Sequence, residues 1–129
     1  MTKNVEPTET ELTILKILWA KGSCTVREVN DQLNQKKITG YTTTLKLMQI
    51  MHAKGLLTRD ESNRQHVYKA TVAENNIKQR FLHKLMKNLY QGSASAMVMQ
   101  IIGNTETTKT ELKEIKEYIR KMEEDTNDR

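Results

Sequence analysis

Cysteine is almost absent from this 129-residue chain. Cys24 stands alone, so no internal disulfide can form and a reducing compartment is the natural setting. Long apolar runs are absent too. None approaches the ~20 residues that a membrane span needs, and the opening residues 1–7 carry no apolar signal region. Together these predict a cytoplasmic protein with no direct membrane insertion. Aromatics make up 5% and hydrophobic residues 36%, so a self-contained core is modest. His52, His66 and His83 are scattered, no His or Cys pair has metal-ligand spacing, and no glycine-rich phosphate loop occurs. Nothing here assembles a catalytic constellation, which argues against an enzyme, and no cofactor or metal is expected. The seven methionines fall mostly at helix-core spacing and read as packing residues rather than a soft-metal site.

What is present is positive charge, unevenly placed. The formal charge is +5 and the pI about 9.3. Residues 1–73 hold 11 Lys/Arg against 7 Asp/Glu, whereas residues 103–129 hold 6 against 8. A basic first part and a mildly acidic end fit a nucleic-acid binder whose tail has another task. The length suits a small domain with an appendage, and the composition changes after Thr71, which predicts domains over 1–73 and 74–129.

Four helix starts share one pattern. Thr8-x-x-Glu11, Thr25-x-x-Glu28, Thr71-x-x-Glu74 and Thr108-x-x-Glu111 can each form a capping box, the Thr hydroxyl accepting from the third amide and the Glu reaching back to the cap. The first helix is predicted over Glu9–Lys21, with Leu12, Leu15 and Trp19 as its stripe, Ile14 and Leu18 flanking it, and Gly22 as the stop. Trp19, with aliphatic neighbours at helical spacing, reads as a core anchor. A short extended link, Ser23–Thr25, leads to a second helix over about Val26–Asn34 that buries Val26, Val29 and Leu33. A turn through Gly40, with Thr39 as a cap, opens the third. Helix, short turn, helix is the helix-turn-helix pattern.

The third helix runs from Gly40 to Gly55. At 100° per residue Thr44, Leu47, Met48 and Met51 fall on one side, and Thr42, Lys46 and Gln49 on the other. The segment has no carboxylate. A face of hydroxyls, an amide and an ammonium suits a polyanion. Gly55 supplies the stop. Leu56–Arg59 and His66–Lys69 then read as two strands around a polar turn, Asp60–Gln65, with Arg64 near its tip. A recognition helix followed at once by a basic hairpin is the order of a winged helix-turn-helix.

After Thr71 a helix over about Val72–Tyr90 carries Ile77, Phe81, Leu82, Leu85, Met86 and Leu89. A short, almost all-round apolar helix, Ser93–Ile102, follows, stopped by Gly103 and expected to be buried on most sides. The last helix, about Lys109–Glu124, carries Leu112, Ile115, Ile119 and Met122 at a packing-seam spacing, and residues 125–129 are expected to fray. Three short helices cannot easily cover Phe81, Leu85, Met97, Val98, Ile101, Ile102 and Ile115 by themselves, so a twofold-related second chain is the predicted cover. The fold class is mainly α with a small β-hairpin wing: a winged helix-turn-helix followed by a three-helix dimerisation domain.

The chain resembles the penicillinase-repressor family of bacterial transcription regulators, the BlaI/MecI/CopY group, over about Thr8–Met122. The resemblance is carried by Thr8–Trp19 in the first helix, Thr25-Val-Arg-Glu-Val29 in the second, Tyr41-Thr-Thr-Thr-Leu-Lys-Leu47 in the third, Lys54-Gly-Leu-Leu57 entering the wing and Tyr68 leaving it; the C-terminal match at Thr108-x-x-Glu-Leu112 is loose. It implies an N-terminal winged helix and a C-terminal three-helix dimerisation domain, binding short palindromes to repress resistance or metal-homeostasis genes. In the β-lactam branch a membrane receptor-protease is the sensor and the repressor is cut at an Asn-Phe bond in the middle helix. Counting back from Thr108-x-x-Glu-Leu112, that bond falls at Gln100–Ile101, which matches neither residue. The copper branch carries a Cys-x-Cys cluster near its C-terminus, and this chain has no cysteine after Cys24. The family's third helix often has Arg-Leu where this chain has Ile50-Met51, which places more of the load on Lys46.

The reading that follows is a homodimeric repressor of double-stranded DNA. Thr42, Thr43, Lys46 and Gln49 lie near base edges and phosphates, and Tyr41 and Arg64 set the module on the backbone. The alternative is a winged-helix protein-interaction module without specific DNA binding.

Overall fold

The computed structural model describes residues 6–104 and 106–127. Its elements follow in the order α1 (Glu9–Lys21), β1 (Cys24–Thr25), α2 (Val26–Asn34), α3 (Tyr41–Ala53), β2 (Leu57–Asp60), β3 (Val67–Ala70), α4 (Glu74–Tyr90), α5 (Ala94–Asn104) and α6 (Lys109–Asn127). The architecture is the expected one, mostly helical with a small antiparallel sheet.

Local chemistry explains most of the boundaries. The Thr8 hydroxyl accepts from the Glu11 amide at 3.2 Å while Glu11 Oε1 accepts from the Thr8 amide at 2.9 Å. The same reciprocal box opens α2 between Thr25 and Glu28, and α6 between Thr108 and Glu111. At Glu28 the bond from the Thr25 amide, then that from its hydroxyl, holds the carboxyl below its ordinary value. Gly22 and Gly55 end α1 and α3 with φ of 85° and 87°, a region L side chains avoid.

The wing is one strand larger than a hairpin. β1 joins it on the far side of β3, so the sheet order is β1-β3-β2, all antiparallel. The two residues of the Ser23–Thr25 link that pair are Cys24, opposite Tyr68, and Thr25, opposite Val67. This ties the start of α2 to the wing.

Ile14, Leu15, Leu18, Val26, Val29, Leu33, Met48, Met51, Leu56, Leu57 and Tyr68 make one buried cluster that joins α1, α2, α3 and the sheet. Trp19 packs at its edge, and its Nε1–H donates to the Val72 carbonyl at 2.9 Å. Glu11 is a charged member of this interior. It is buried, and both its oxygens accept from Lys54 Nζ, at 3.0 and 2.9 Å. The Lys54-Gly55-Leu56-Leu57 run thus has a physical reason at each position: an ion pair back to α1, a positive φ, and two buried side chains.

Four boundary expectations are corrected. Thr71 does not cap α4. Its amide donates to the Leu56 carbonyl at 2.9 Å and the next carbonyl is held by Trp19, so both residues stay outside the helix. The helix starts at Glu74, with the Ala73 carbonyl accepting the first helical bond. Thr39 does not cap α3. Gly40 is the cap, while the Thr39 amide donates to Asn34 Oδ1 at 2.6 Å and its hydroxyl to the Lys37 carbonyl. Gly103 does not stop α5, which runs one residue past it to Asn104. α6 continues to Asn127, because Arg120 bridges Glu117 and Glu124 at 2.7 Å each and Thr126 donates to the Met122 carbonyl. The last two residues of the expected frayed tail lie outside the described residues.

The chain divides into two compact units, Met1–His83 and Lys84–Arg129. The first takes in the opening of α4, where Ile77 is 1% exposed. In the second, the expected burial of α5 on most sides is not met within one chain. Met97 is buried, but Val98, Met99 and Ile101 are exposed, and no described residue of α6 is buried. Among the described residues no helix is long and apolar enough to cross a membrane.

Candidate nucleic-acid interface

α3 has the two sides its periodicity predicts. Thr44, Met48 and Met51 are fully buried and Leu47 is half-buried, while Tyr41, Thr42, Thr43, Lys46 and Gln49 are exposed. The orientation of α3 is set by a polar network at the turn. Asn30 Nδ2 donates to the Thr39 carbonyl at 2.9 Å and to Thr44 Oγ1 at 2.8 Å. Asn34 Nδ2 donates to Asn30 Oδ1, and Asn34 Oδ1 receives the Thr39 amide. Thr44 Oγ1 in turn donates to the Gly40 carbonyl at 3.3 Å. A buried amide is costly unless its bonds are made, and the bonds that satisfy Asn30 tie α3 to α2. Neither asparagine stood out in the sequence, since an Asn within a helix carries no periodic signal.

Beside α3 lies a cleft of about 230 Å3 that the first unit builds from three elements. The start of α2 supplies Arg27, α3 supplies Tyr41 and Gln49, and the wing supplies Arg59, Arg64 and His66. Of the site residues predicted from sequence, Tyr41, Gln49 and Arg64 meet here. Thr42, Thr43 and Lys46 are on the exposed part of α3 but do not line it.

Charge in the cleft is partly neutralised. Arg59 binds Glu61 Oε2 through Nε at 2.7 Å and through its terminal nitrogen at 2.6 Å, which holds the Glu61 carboxyl below its ordinary value. Asp60 is engaged by the Ser62 hydroxyl and amide. Arg27 and Arg64 have no carboxylate partner among the described residues. Arg27 instead stands over the Tyr41 ring, 5.4 Å from its centroid. Arg27 is the residue sequence reasoning missed, and no signal along the chain marked it, because its contact with Tyr41 forms only once the starts of α2 and α3 are packed together. No group of His, Cys, Asp and Glu among the described residues could hold a metal ion.

A helix-turn-helix whose second helix is exposed, followed by a two-stranded wing closed by a third strand, defines this part of the chain as a winged helix-turn-helix. Comparison narrows the class. The chain belongs to the penicillinase repressor family, whose pattern matches residues 7–121. It is similar to the penicillinase repressor of Staphylococcus aureus, 23% identical over 117 residues that cover 91% of this chain and 93% of that protein. It is also similar to the methicillin resistance regulatory protein MecI of Staphylococcus aureus strain N315, 20% identical over 119 residues covering 92% and 97%. Among solved structures, the solution structure of the DNA binding domain of the repressor BlaI aligns with a TM-score of 0.52 at 24% identity, covering 59% of this chain and 93% of that one.

Proposed function

We propose that this chain is a transcriptional repressor that binds a palindromic DNA operator as a homodimer in the cytoplasm, controlling a resistance or stress operon. The observation that carries the DNA-binding reading is the outward face of α3. It is exposed, free of carboxylates and adjacent to a cleft with two uncompensated arginines. In this reading α3 enters the major groove. Lys46 and Gln49 meet base edges, Gln being suited to adenine, and the methyls of Thr42 and Thr43 suit thymine. Arg64 sets the register on phosphates, which fixes orientation without reading sequence.

The homodimer is proposed from apolar surface. Leu85, Val98 and Ile101 are exposed at 41–50%, and Met99, Ile119 and Met122 exceed half. Phe81, Ile102 and Ile115 are half-buried and extend the same class of surface. An apolar area of this kind on a soluble chain marks an interaction site, and a second copy is the default cover. Release by a membrane receptor-protease acting at Gln100–Ile101 is the proposed switch. Both side chains are exposed, but the bond lies inside α5 and the Gln100 carbonyl accepts from Asn104 at 3.0 Å, so local unwinding precedes cutting.

Selection from a random duplex library, followed by sedimentation of the selected complex, tests this. The expected product is an inverted repeat bound by two chains. Enrichment of no sequence, or a monomer at micromolar concentration, overturns the operator or the dimer respectively. Intact protein in induced cells that have lost repression overturns the cleavage step alone.

A further inference from the structure

We propose that Arg27 is a DNA-contacting residue that seats one backbone phosphate in the cleft between α2 and the wing, and that Tyr41 is the positioning residue that holds it there. This rests on the DNA-binding reading of the same face.

Three observations carry it. First, Arg27 from α2 and Arg64 from the wing line one cleft, so a phosphate entering it from solvent meets cations of two elements. Second, the cleft's other guanidinium is already neutralised, since Arg59 is bound to Glu61. The carboxylate next to Arg27 in sequence, Glu28, is held by the Thr25 amide. Among the described residues Arg27 therefore has no carboxylate to satisfy it.

Third, Arg27 is held without being neutralised. Its guanidinium carbon is 5.4 Å from the centroid of the Tyr41 ring, a cation–π distance. Stacking on a ring face leaves the N–H edge of the planar guanidinium open for bidentate bonds to phosphate. A flexible arginine would lose rotamer freedom on binding, and the ring removes part of that cost beforehand. Tyr41 is the first residue of α3 and Arg27 the second of α2. The contact therefore couples the phosphate seat to the helix that reads sequence. The same geometry moves Tyr41 from direct contact to support of Arg27.

The test measures affinity for a labelled duplex of mixed sequence across a salt series, with circular dichroism to establish folding of each variant. Arg27→Gln is expected to flatten the slope of log K against log salt by about 0.9 per bound chain. Arg27→Lys is expected to keep the slope but bind more weakly, because charge remains while the fork is lost. Tyr41→Leu is expected to weaken binding by about two- to fivefold, with Tyr41→Phe restoring what Tyr41→Leu loses. The Arg27→Gln/Tyr41→Leu double variant is expected to bind no more weakly than Arg27→Gln. An unchanged slope in Arg27→Gln, while Arg64→Ala flattens it, overturns the seat and leaves the DNA-binding reading intact. Equal losses from Tyr41→Leu with and without Arg27 overturn the positioning role. A wild-type chain with no salt-dependent duplex binding overturns the DNA-binding reading and this inference with it.

Discussion

The two compact units use their apolar residues in opposite ways. In Met1–His83 the aliphatic positions of three helices and a sheet close on one another, and among the described residues the large hydrophobics left exposed are Ile38, Tyr41, Ile50 and Leu82. In Lys84–Arg129 the aliphatic positions have the same helical periodicity, yet among the described residues all the buried hydrophobics except Met97 lie in the other unit. Periodicity alone does not create a core. It creates a face, and a face needs a second face to cover it. The first unit supplies its own. The second leaves α6 without a buried side chain, which supports a partner chain as the missing layer.

The largest test of that contrast separates the units. A chain ending at His83 keeps Ile77 and the Trp19–Val72 bond, and is expected to fold as a monomer. It should lose about 10²–10⁴ in operator affinity, because two half-sites are no longer held by one particle. Retained affinity would show that dimerisation contributes nothing to binding.

Helix α4 allows the comparison within one element. Ile77 is 1% exposed and Leu89 64%. Ile77→Ala is expected to cost ~2–5 kcal/mol in denaturant unfolding of the His83-truncated chain. Leu89→Ala in the full chain should raise the concentration at which dimers dissociate in sedimentation, while leaving mixed-sequence DNA affinity per chain unchanged.

Glu11→Ala removes a carboxylate that serves both the α1 cap and Lys54. Breaking a buried pair costs ~3–5 kcal/mol. The Lys54 side chain is one-third exposed, so about 2 kcal/mol is expected here, read as a lower unfolding midpoint.

On the interface, Lys46→Ala and Gln49→Ala are each expected to cost ~1–3 kcal/mol in operator binding and to relax preference at one base position, with unfolding midpoints unchanged. Equal affinity for both variants at physiological salt removes this face from the site. The smallest effect is that of Arg64→Ala, which should weaken all sequences alike and reduce the salt slope by about one unit. A loss confined to the selected operator would make Arg64 a reader of sequence or shape.

Much of this was legible in the residue order. α1 and α2 begin and end where their capping boxes, Gly22 and the apolar spacing place them, because those signals act within four residues of chain. The Thr71 box failed for a reason outside that range: the Thr71 amide and Val72 carbonyl are taken by Leu56 and by Trp19, 53 residues away from Val72. Of the proposed contact residues, the α3 face followed from phase alone, whereas Arg27 did not, since its link to Tyr41 spans the turn and exists only once α2 and α3 are packed.

What the sequence determined by itself, then, is the set of helices, their apolar faces, the outward face of α3 and the family pattern. Each rests on local hydrogen bonds or on a period read along the chain. Tertiary structure decided which of these faces meet. It brought β1 to the wing, locked the turn through Asn30 and Asn34, buried Glu11 against Lys54, set Arg27 on Tyr41, and left the apolar faces of α5 and α6 open. Those outcomes depend on distances between residues far apart in the chain, and no local propensity encodes them.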